Sequence, residues 1–446
     1  MTECNRNSIL FSNLGRRTVE ARFDGGSLTS DAGALLLREA DRRLGLTEAL
    51  DAVIPDPRNQ SLIVHRQLTL LRQRIYAIAL GNEDLNDHQG LREDPLMQLA
   101  TERGIKDDHP LASPPTLCRL ENRIGRDTLV AMSRVLVENF IASHSAAPTE
   151  LILDFDATDD AVHGNQVGRF FHGYYDQYCF LPLYVFGGDQ MLVAYLRPSN
   201  IDASKHAWAI LSLLVKRFRQ AWPQVRIIFR GDSGFCRWRM LRWCERHDVK
   251  YIAGIAKNAR LLKMAQGLMQ QAAMQFQQSR QKQRLFGELS YQAQTWDQER
   301  RVIVKAEHSE QGENPRFVVT NLQGPGQTLY ERTYCARGEM ENRIKEQQLG
   351  LFADRTSCHD FEANQFRVLL SAAAYVLMEL VRRVGLCGTE LQEAQVGTIR
   401  LKLLKIGARL VQSVRRVVLH LASGYPLQEL FEQVVLRLRQ GVVASG

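Results

Sequence analysis

Apolar residues recur at helical spacing from residue 30 to residue 143. In SDAGALLLREADRRLGL, Leu35, Leu36, Ala40 and Leu44 fall on one face, behind Ser30 or Asp31 as a cap. SLIVHRQLTLLRQRIYAIALG is a longer periodic segment that Gly81 ends. Pro114 and Pro115 open a helix through TLCRLENRI, and a further helix follows in DTLVAMSRVLVENFIAS. The segment HSAAPTE reads as a linker that closes this helical region.

At residue 151 the period changes from 3.6 to 2. LILDFDA predicts a strand over 151–157, and aromatic and β-branched runs flank Gly187-Gly188, which reads as a hairpin turn. DASKHAWAILSLLVKRFRQAWP predicts a helix capped by Asp202 or Ser204 and stopped near Pro223. VRIIFRGDSGF then gives a strand, CRWRMLRWCERHD a helix, and KYIAGIAKN a strand. The order β-ββ-α-β-α-β defines an α/β core over 151–258. Residues 259–335 break that rhythm with three strand-like segments, which predicts a β-rich insertion outside the core sheet; its Gln-rich run, 266–283, suits a helix or a loop. A helix over 336–349 completes the core within 336–364, and residues 365–446 read as a helical basic region. The expected architecture is an α/β mixed-sheet core with a β-rich insertion, flanked by helical N-terminal (1–150) and C-terminal regions.

The chain has 446 residues, enough for roughly two to four domains with sizeable cores. Its net charge of +8 points weakly toward a polyanionic partner. The eight cysteines form no CxxC pair, which argues against a zinc ribbon and for buried thiols in a reducing compartment. No apolar run reaches the ~18 residues of a membrane span, so the expectation is a soluble, intracellular protein.

Carboxylates interrupt the strand at 151–157. Asp154 and Asp156 share one face, roughly 6–7 Å apart along the chain. Asp232 ends a second strand, between Gly231 and Gly234. Strand ends are where sites form in open α/β sheets. Two such aspartates with a third carboxylate suit a two-cation site for phosphodiester chemistry. The helix in YCARGEMENRIKEQQ supplies that carboxylate: Tyr334, Arg337, Glu341, Lys345 and Gln348 fall on one stripe. Glu341 is the chosen ligand, with Arg337 and Lys345 placed to hold a phosphate. Taken singly, Asp232 is a turn residue, and Arg337, Glu341 and Lys345 form a surface ion-pair ladder. Asp159 and Asp160 read as a solvated turn. NEDLNDHQG, with Glu83, Asp84, Asp87 and His88, reads as a solvated loop. The tryptophans read as core or domain-interface residues. Arg400, Lys402 and Lys405, in a stretch without acidic residues, read either as a solvated basic face or as a phosphate-tracking surface.

With these motifs the sequence resembles bacterial insertion-sequence transposases of the DDE type, which have a ribonuclease H-like core. Tyr334, Arg337 and Glu341 match the spacing of a Tyr-x2-Arg-x3-Glu-x6-Lys signature, while Gln348 stands at the Lys position and Lys345 lies nearby. DFDATDD resembles the first motif of that group and favours Asp156, followed by Thr158, over Asp154; RGDSGF resembles the second. FDGGSLTSDAGALLLREAD, RIYAIALGNEDLNDHQGLREDP, LASPPTLCRLENR and DRTSCHDFEANQFRVLLSAAAYVL resemble recurrent blocks, so the likeness is nearly full length. The resemblance implies Asp156, Asp232 and Glu341 as catalytic metal ligands and Mg2+ as cofactor, with Mn2+ able to substitute. It implies cut-and-paste transposition on double-stranded DNA, both the element's terminal inverted repeats and the target. It implies a homodimer on DNA and a bacterial cytoplasmic, nucleoid-associated location. Tyr334, Arg337 and Lys345 would serve phosphate binding. Two rivals stand beside it: a nuclease of the same fold without strand transfer, and an inactive or domesticated DNA-binding derivative.

Overall fold

The computed structural model describes residues 8–103 and 109–440. They divide into two compact units. Unit 1 comprises Met1–Asp51, Asp56–Leu120 and Leu380–Gly446, and unit 2 is essentially Glu121–Glu379 with Ala52–Pro55. The expected boundaries shift accordingly. The N-terminal and C-terminal regions build one unit together, and helix Arg126–Ala142 belongs with the sheet unit.

Unit 1 is helical where the apolar period is 3.6. Helix Ala34–Leu44 buries Leu36, Leu37 and Ala40, and helix Gln67–Leu80 ends on Gly81 at φ 95°. Asp41 accepts from the Thr47 hydroxyl (2.5 Å), the Tyr76 hydroxyl (2.7 Å) and Arg72 Nε (3.3 Å), so a buried charge is fully compensated. Gly33 is a close approach: a Cβ there would lie 1.9 Å from the carbonyl oxygen of Leu403.

The C-terminal region is not uniformly helical. Strands Ala408–Gln412 and Val417–Leu421 form an antiparallel hairpin that also pairs with Leu28–Thr29. The reason is the period. Ala408 and Leu410 are buried while Arg409 and Val411 are exposed, an alternation that the basic composition masks. His88 turns inward and is fully buried, and Asp84 and Asp87 cap the short turn before it, so NEDLNDHQG is not simply a solvated loop.

Unit 2 is a large mixed sheet with helices on both sides. Its strands are β1 (Glu150–Ala157), β2 (Leu183–Gly187), β3 (Gln190–Tyr195), β4 (Arg226–Gly231), β5 (Lys250–Ile255), β6 (Gln283–Tyr291), β7 (Arg300–Ser309) and β8 (Arg316–Thr320). They lie in the order β6-β7-β8-β5-β4-β1-β2-β3, with the two-residue strand Gly312–Glu313 added on β7. β1, β4 and β5 are parallel, β2 and β8 pair antiparallel with β1 and β5, and β3 pairs antiparallel with β2. One face packs Leu153, Phe155, Ile227 and Phe229 against helices α1 (Ala207–Ala221), α2 (Trp238–Arg246) and α3 (Ala259–Ser279). The other packs Ile152, Ile228, Ile252 and Val318 against Leu329, Tyr330 and Tyr334.

The segment 259–335 departs from expectation. It opens with the 21-residue helix α3, and β6 to β8 continue the core sheet rather than standing outside it. The link is β8, antiparallel to β5 through Ile252↔Thr320 and Gly254↔Val318. Leu261, Ala265, Leu268 and Ala272 recur at helical spacing from just before the glutamine-rich run into it; Leu261, Ala265 and Leu268 pack in the larger core, and Ala272 is buried.

Candidate active site

Alternation on β1 explains the interrupted strand. Leu151, Leu153 and Phe155 take the larger core, so Ile152, Asp154 and Asp156 face the other side. β4 runs parallel beside it, with Arg230 opposite Asp154 and Gly231 opposite Phe155. The next residue, Asp232, follows directly on the end of β4, and its charge acts on Asp156. Asp232 begins a turn and accepts from the Gly234 amide at 2.9 Å.

The third side is a helical segment from Gly326 to Gly350. Its turns widen to π-type spacing at Leu329–Tyr334 and Glu346–Gly350, around a regular stretch at Gly338–Lys345. Wide turns of this kind cluster at functional sites. Arg337 joins the helix to the sheet, donating to Asp156 Oδ2 at 3.1 Å and to Glu341 Oε1 at 2.6 Å. Gln348 donates to the Asp159 carbonyl at 2.9 Å, so the residue standing at the signature Lys position ties the helix to the turn after β1. Lys345 is exposed. Tyr334 packs against the smaller core. Its hydroxyl lies so close over β5 that a Cβ on Gly254 would meet it at 2.6 Å.

Burial pushes the Asp156 carboxyl up to about 6; Arg337 opposes that shift, and the Asp232 and Glu341 charges reinforce it. Asp156, Asp232 and Glu341 therefore share one electrostatic site. Among the described residues no three His, Cys, Asp or Glu side chains stand close enough together to hold a metal ion. In this arrangement Arg337 bridges two of the carboxylates.

Asp154 is set apart from this group. It is buried, and Arg230 grips it through Nε and through Nη2 at 2.6 Å. Arg230 Nη1 also donates to the Thr333 carbonyl at 2.5 Å, one residue before Tyr334. The pattern of β1 shows the carboxylate, but nothing in the sequence names Arg230 as its partner; only the register does. Arg343, which holds Asp189 at 3.0 Å and Glu346 at 3.0 Å, is a second helix anchor that spacing did not reveal. The turn after β1 is not solvated throughout: Asp160 is buried and accepts from the Thr356 hydroxyl at 2.9 Å, while Asp159 accepts from Gln177.

Two of the three basic residues singled out in unit 1 are committed to the protein. Arg400 Nε donates to the Ala79 carbonyl at 2.8 Å, satisfying the end of helix Gln67–Leu80. Lys405 pairs with Asp31 at 2.7 Å. Lys402 is exposed. No helix among the described residues is long and apolar enough to cross a membrane.

The transposase DDE domain group 1 family matches residues 11–443, and the chain belongs to that family. It is thus a transposase-family protein by nearly its whole length. Among solved structures it is similar to the piggyBac transposase in its synaptic complex with hairpin DNA. That similarity has 9% identity and a TM-score of 0.42, over 84% of this chain and 80% of that chain. No curated protein matches.

Proposed function

We propose that this chain is a DNA transposase that binds the terminal inverted repeats of its insertion sequence and catalyses metal-dependent cleavage and strand transfer. The observation that carries this reading is Arg337, which joins Glu341 to Asp156 on β1, next to the strand β4 that Asp232 follows. The order β3-β2-β1-β4-β5, an antiparallel meander followed by two parallel strands, supports a ribonuclease H-like core.

The donor set fits a hard divalent cation, Mg2+ with Mn2+ as a substitute, because it offers carboxylate oxygens alone. Burial is the main cause of the raised Asp156 carboxyl, and the Asp232 and Glu341 charges add to it against the opposing pull of Arg337. Asp156, Asp232 and Glu341 would hold the metal, and Arg337 must then release at least one carboxylate. When bound, the metal supplies charge neutralisation and an activated oxygen for in-line displacement at phosphorus. The released Arg337, with Lys345, would turn toward the phosphate next to the scissile bond. Tyr334 fixes the helix over Gly254 and borders the same phosphate path. Lys402 offers a further phosphate contact, while Arg400 and Lys405 maintain the fold of their own unit. The working form would be a homodimer on double-stranded DNA in the bacterial cytoplasm, associated with the nucleoid.

The test uses a DNA fragment carrying the inverted repeats that flank the gene. Asp156→Asn, Asp232→Asn and Glu341→Gln should each lower Mg2+-dependent cleavage and strand transfer by orders of magnitude while end binding persists. A wild-type chain that binds these ends but cuts nothing in Mg2+ or Mn2+ would overturn the reading in favour of an inactive DNA-binding derivative. A pre-cleaved end that is never joined to target DNA would reduce it to a nuclease.

A further inference from the structure

Between β1 and β2 the chain makes an excursion. Strands Asp160–Ala161, Phe170–His172 and Gln177–Phe180 form a small three-stranded sheet of their own. The excursion leaves β1 just past Asp156 and returns where Leu183 pairs with Ala157, so it stands at the end of the large sheet that carries Asp156 and Asp232. Gln177 donates to the Asp159 carboxylate at 2.5 Å, and Tyr175 lies within electrostatic reach of both Asp159 and Asp156.

This small sheet leaves its aromatic rings uncovered. Phe171 and Tyr178 sit directly opposite each other, with ring centroids 5.6 Å apart. They remain 54% and 49% exposed, and Tyr174 at the connecting turn is 85% exposed. The Arg169 guanidinium lies 4.6 Å from the centre of the Tyr178 ring. A cross-strand aromatic pair is ordinarily what such a sheet buries. Here it stays exposed, on the excursion that begins just past Asp156.

We propose that Phe171 and Tyr178, backed by Arg169, form a stacking platform for an unpaired nucleobase of the DNA, next to the scissile phosphate. The proposal rests on the transposase reading above and names where the strand is held open. The charges favour a base over a phosphate. Arg169 is already spent on Tyr178 and on Asn165, to which it donates at 2.5 Å, and Asp159 and Asp176 border the same excursion. A duplex presents its anionic backbone and hides its base faces, so it is a poor match for this surface. An unpaired base brings a neutral π-face, which aromatic side chains take without regard to sequence.

The experiment uses the full chain, a fluorescein-labelled twelve-nucleotide oligo(dT) and a blunt duplex of equal length, with anisotropy read over a series of salt concentrations. Phe171→Ala and Tyr178→Ala should each weaken oligo(dT) binding about 5- to 150-fold, the range of one lost stacking contact. The log-log salt slope and the duplex affinity should stay unchanged, and Tyr178→Phe should restore oligo(dT) binding. Equal losses on oligo(dT) and duplex with a flattened slope would overturn the proposal in favour of a phosphate surface. Unchanged oligo(dT) binding with a shifted sedimentation coefficient would overturn it in favour of a contact between copies of the chain. Mg2+-dependent cleavage of the element's ends by the wild type, measured alongside, separates the two ideas. Cleavage with no effect of either alanine variant sinks the platform and leaves the transposase reading standing.

Discussion

Replacing Arg230 by methionine keeps the length of the side chain and removes its charge. Asp154 and Arg230 are 2% and 7% exposed, so the substitution strands a carboxylate in the smaller core. Breaking a buried pair from one side costs about 3–5 kcal/mol, because the remaining charge keeps its desolvation penalty and loses its partner. The Thr333 carbonyl also loses its donor. All five tryptophans, Trp208, Trp222, Trp238, Trp243 and Trp296, lie in the sheet unit, so urea unfolding followed by tryptophan fluorescence reports that unit. Arg230→Met should lose about 3–5 kcal/mol in that assay. The double variant Asp154→Leu/Arg230→Met removes both charges and should recover to within about 1 kcal/mol of wild type. Its DNA cleavage should stay low, because the tie from β4 to the helix that carries Glu341 is still cut. A loss below about 1 kcal/mol for Arg230→Met would refute the buried-pair argument. Full cleavage by the double variant would refute the idea that Arg230 positions the helix.

Mg2+ should raise the tryptophan-reported stability of the wild type, by about 2.7 kcal/mol at a concentration 100 times its Kd, and Asp156→Asn should abolish that gain. Burial and Arg74, whose Nη1 lies 3.2 Å from Nε2 of His88, hold that imidazole down to about 3. Its folded pKa is depressed, so the unfolded chain binds the extra proton. Stability of unit 1 should therefore be intact above about pH 6.5 and fall by up to about 1.4 kcal/mol per pH unit below it. Hydrogen exchange on helix Gln67–Leu80 reads this, and a pH-independent exchange free energy between pH 7 and 5 would contradict it. Lys402→Gln should lower the log-log salt slope of duplex binding by roughly 0.9. Arg400→Gln should instead cost about 1–3 kcal/mol, through loss of its hydrogen bond to the Ala79 carbonyl; a change in slope alone would reverse these roles.

The parts of the molecule legible in the sequence are those that repeat. The apolar run LILDFDA and the long apolar segment ending at Gly81 gave the strand, the helix and its stop, although the helix is buried on every side from Leu70 to Leu80 and the strand on both faces. The aspartates near the strand ends and the i,i+4 spacing of Arg337 and Glu341 could be read from the motifs, and the hydrogen bond between the latter two is seen in the structure. What stayed hidden depends on pairing between distant segments. The Arg230–Asp154 grip follows from strand register, and the approach of Tyr334 to Gly254 follows from which strand lies beneath the helix. The hairpin at Ala408–Leu421 was masked by its arginines: Arg409 sits on the exposed half of the first strand's alternation, and Arg415 and Arg416 lie in the connection between the strands. The helix Ala259–Ser279 was masked by glutamines on the open side of an apolar stripe. In both cases composition outweighed period, and period was the better guide.

The division of the chain also fixes an order of events during synthesis. The sheet unit is nearly contiguous and has almost all of its chain once residue 379 is made, whereas unit 1 still lacks the segment from Leu380 onward. Until that segment appears, Gly33 has no Leu403 to pack under and Ala79 no Arg400 to close its helix. At about 5–20 residues per second, the 67 residues from Leu380 to Gly446 take on the order of 3–13 s. On a ribosome, therefore, the carboxylate-bearing sheet can assemble several seconds before the unit that encloses it in sequence, and a message cut short in that interval would release the former without a finished copy of the latter.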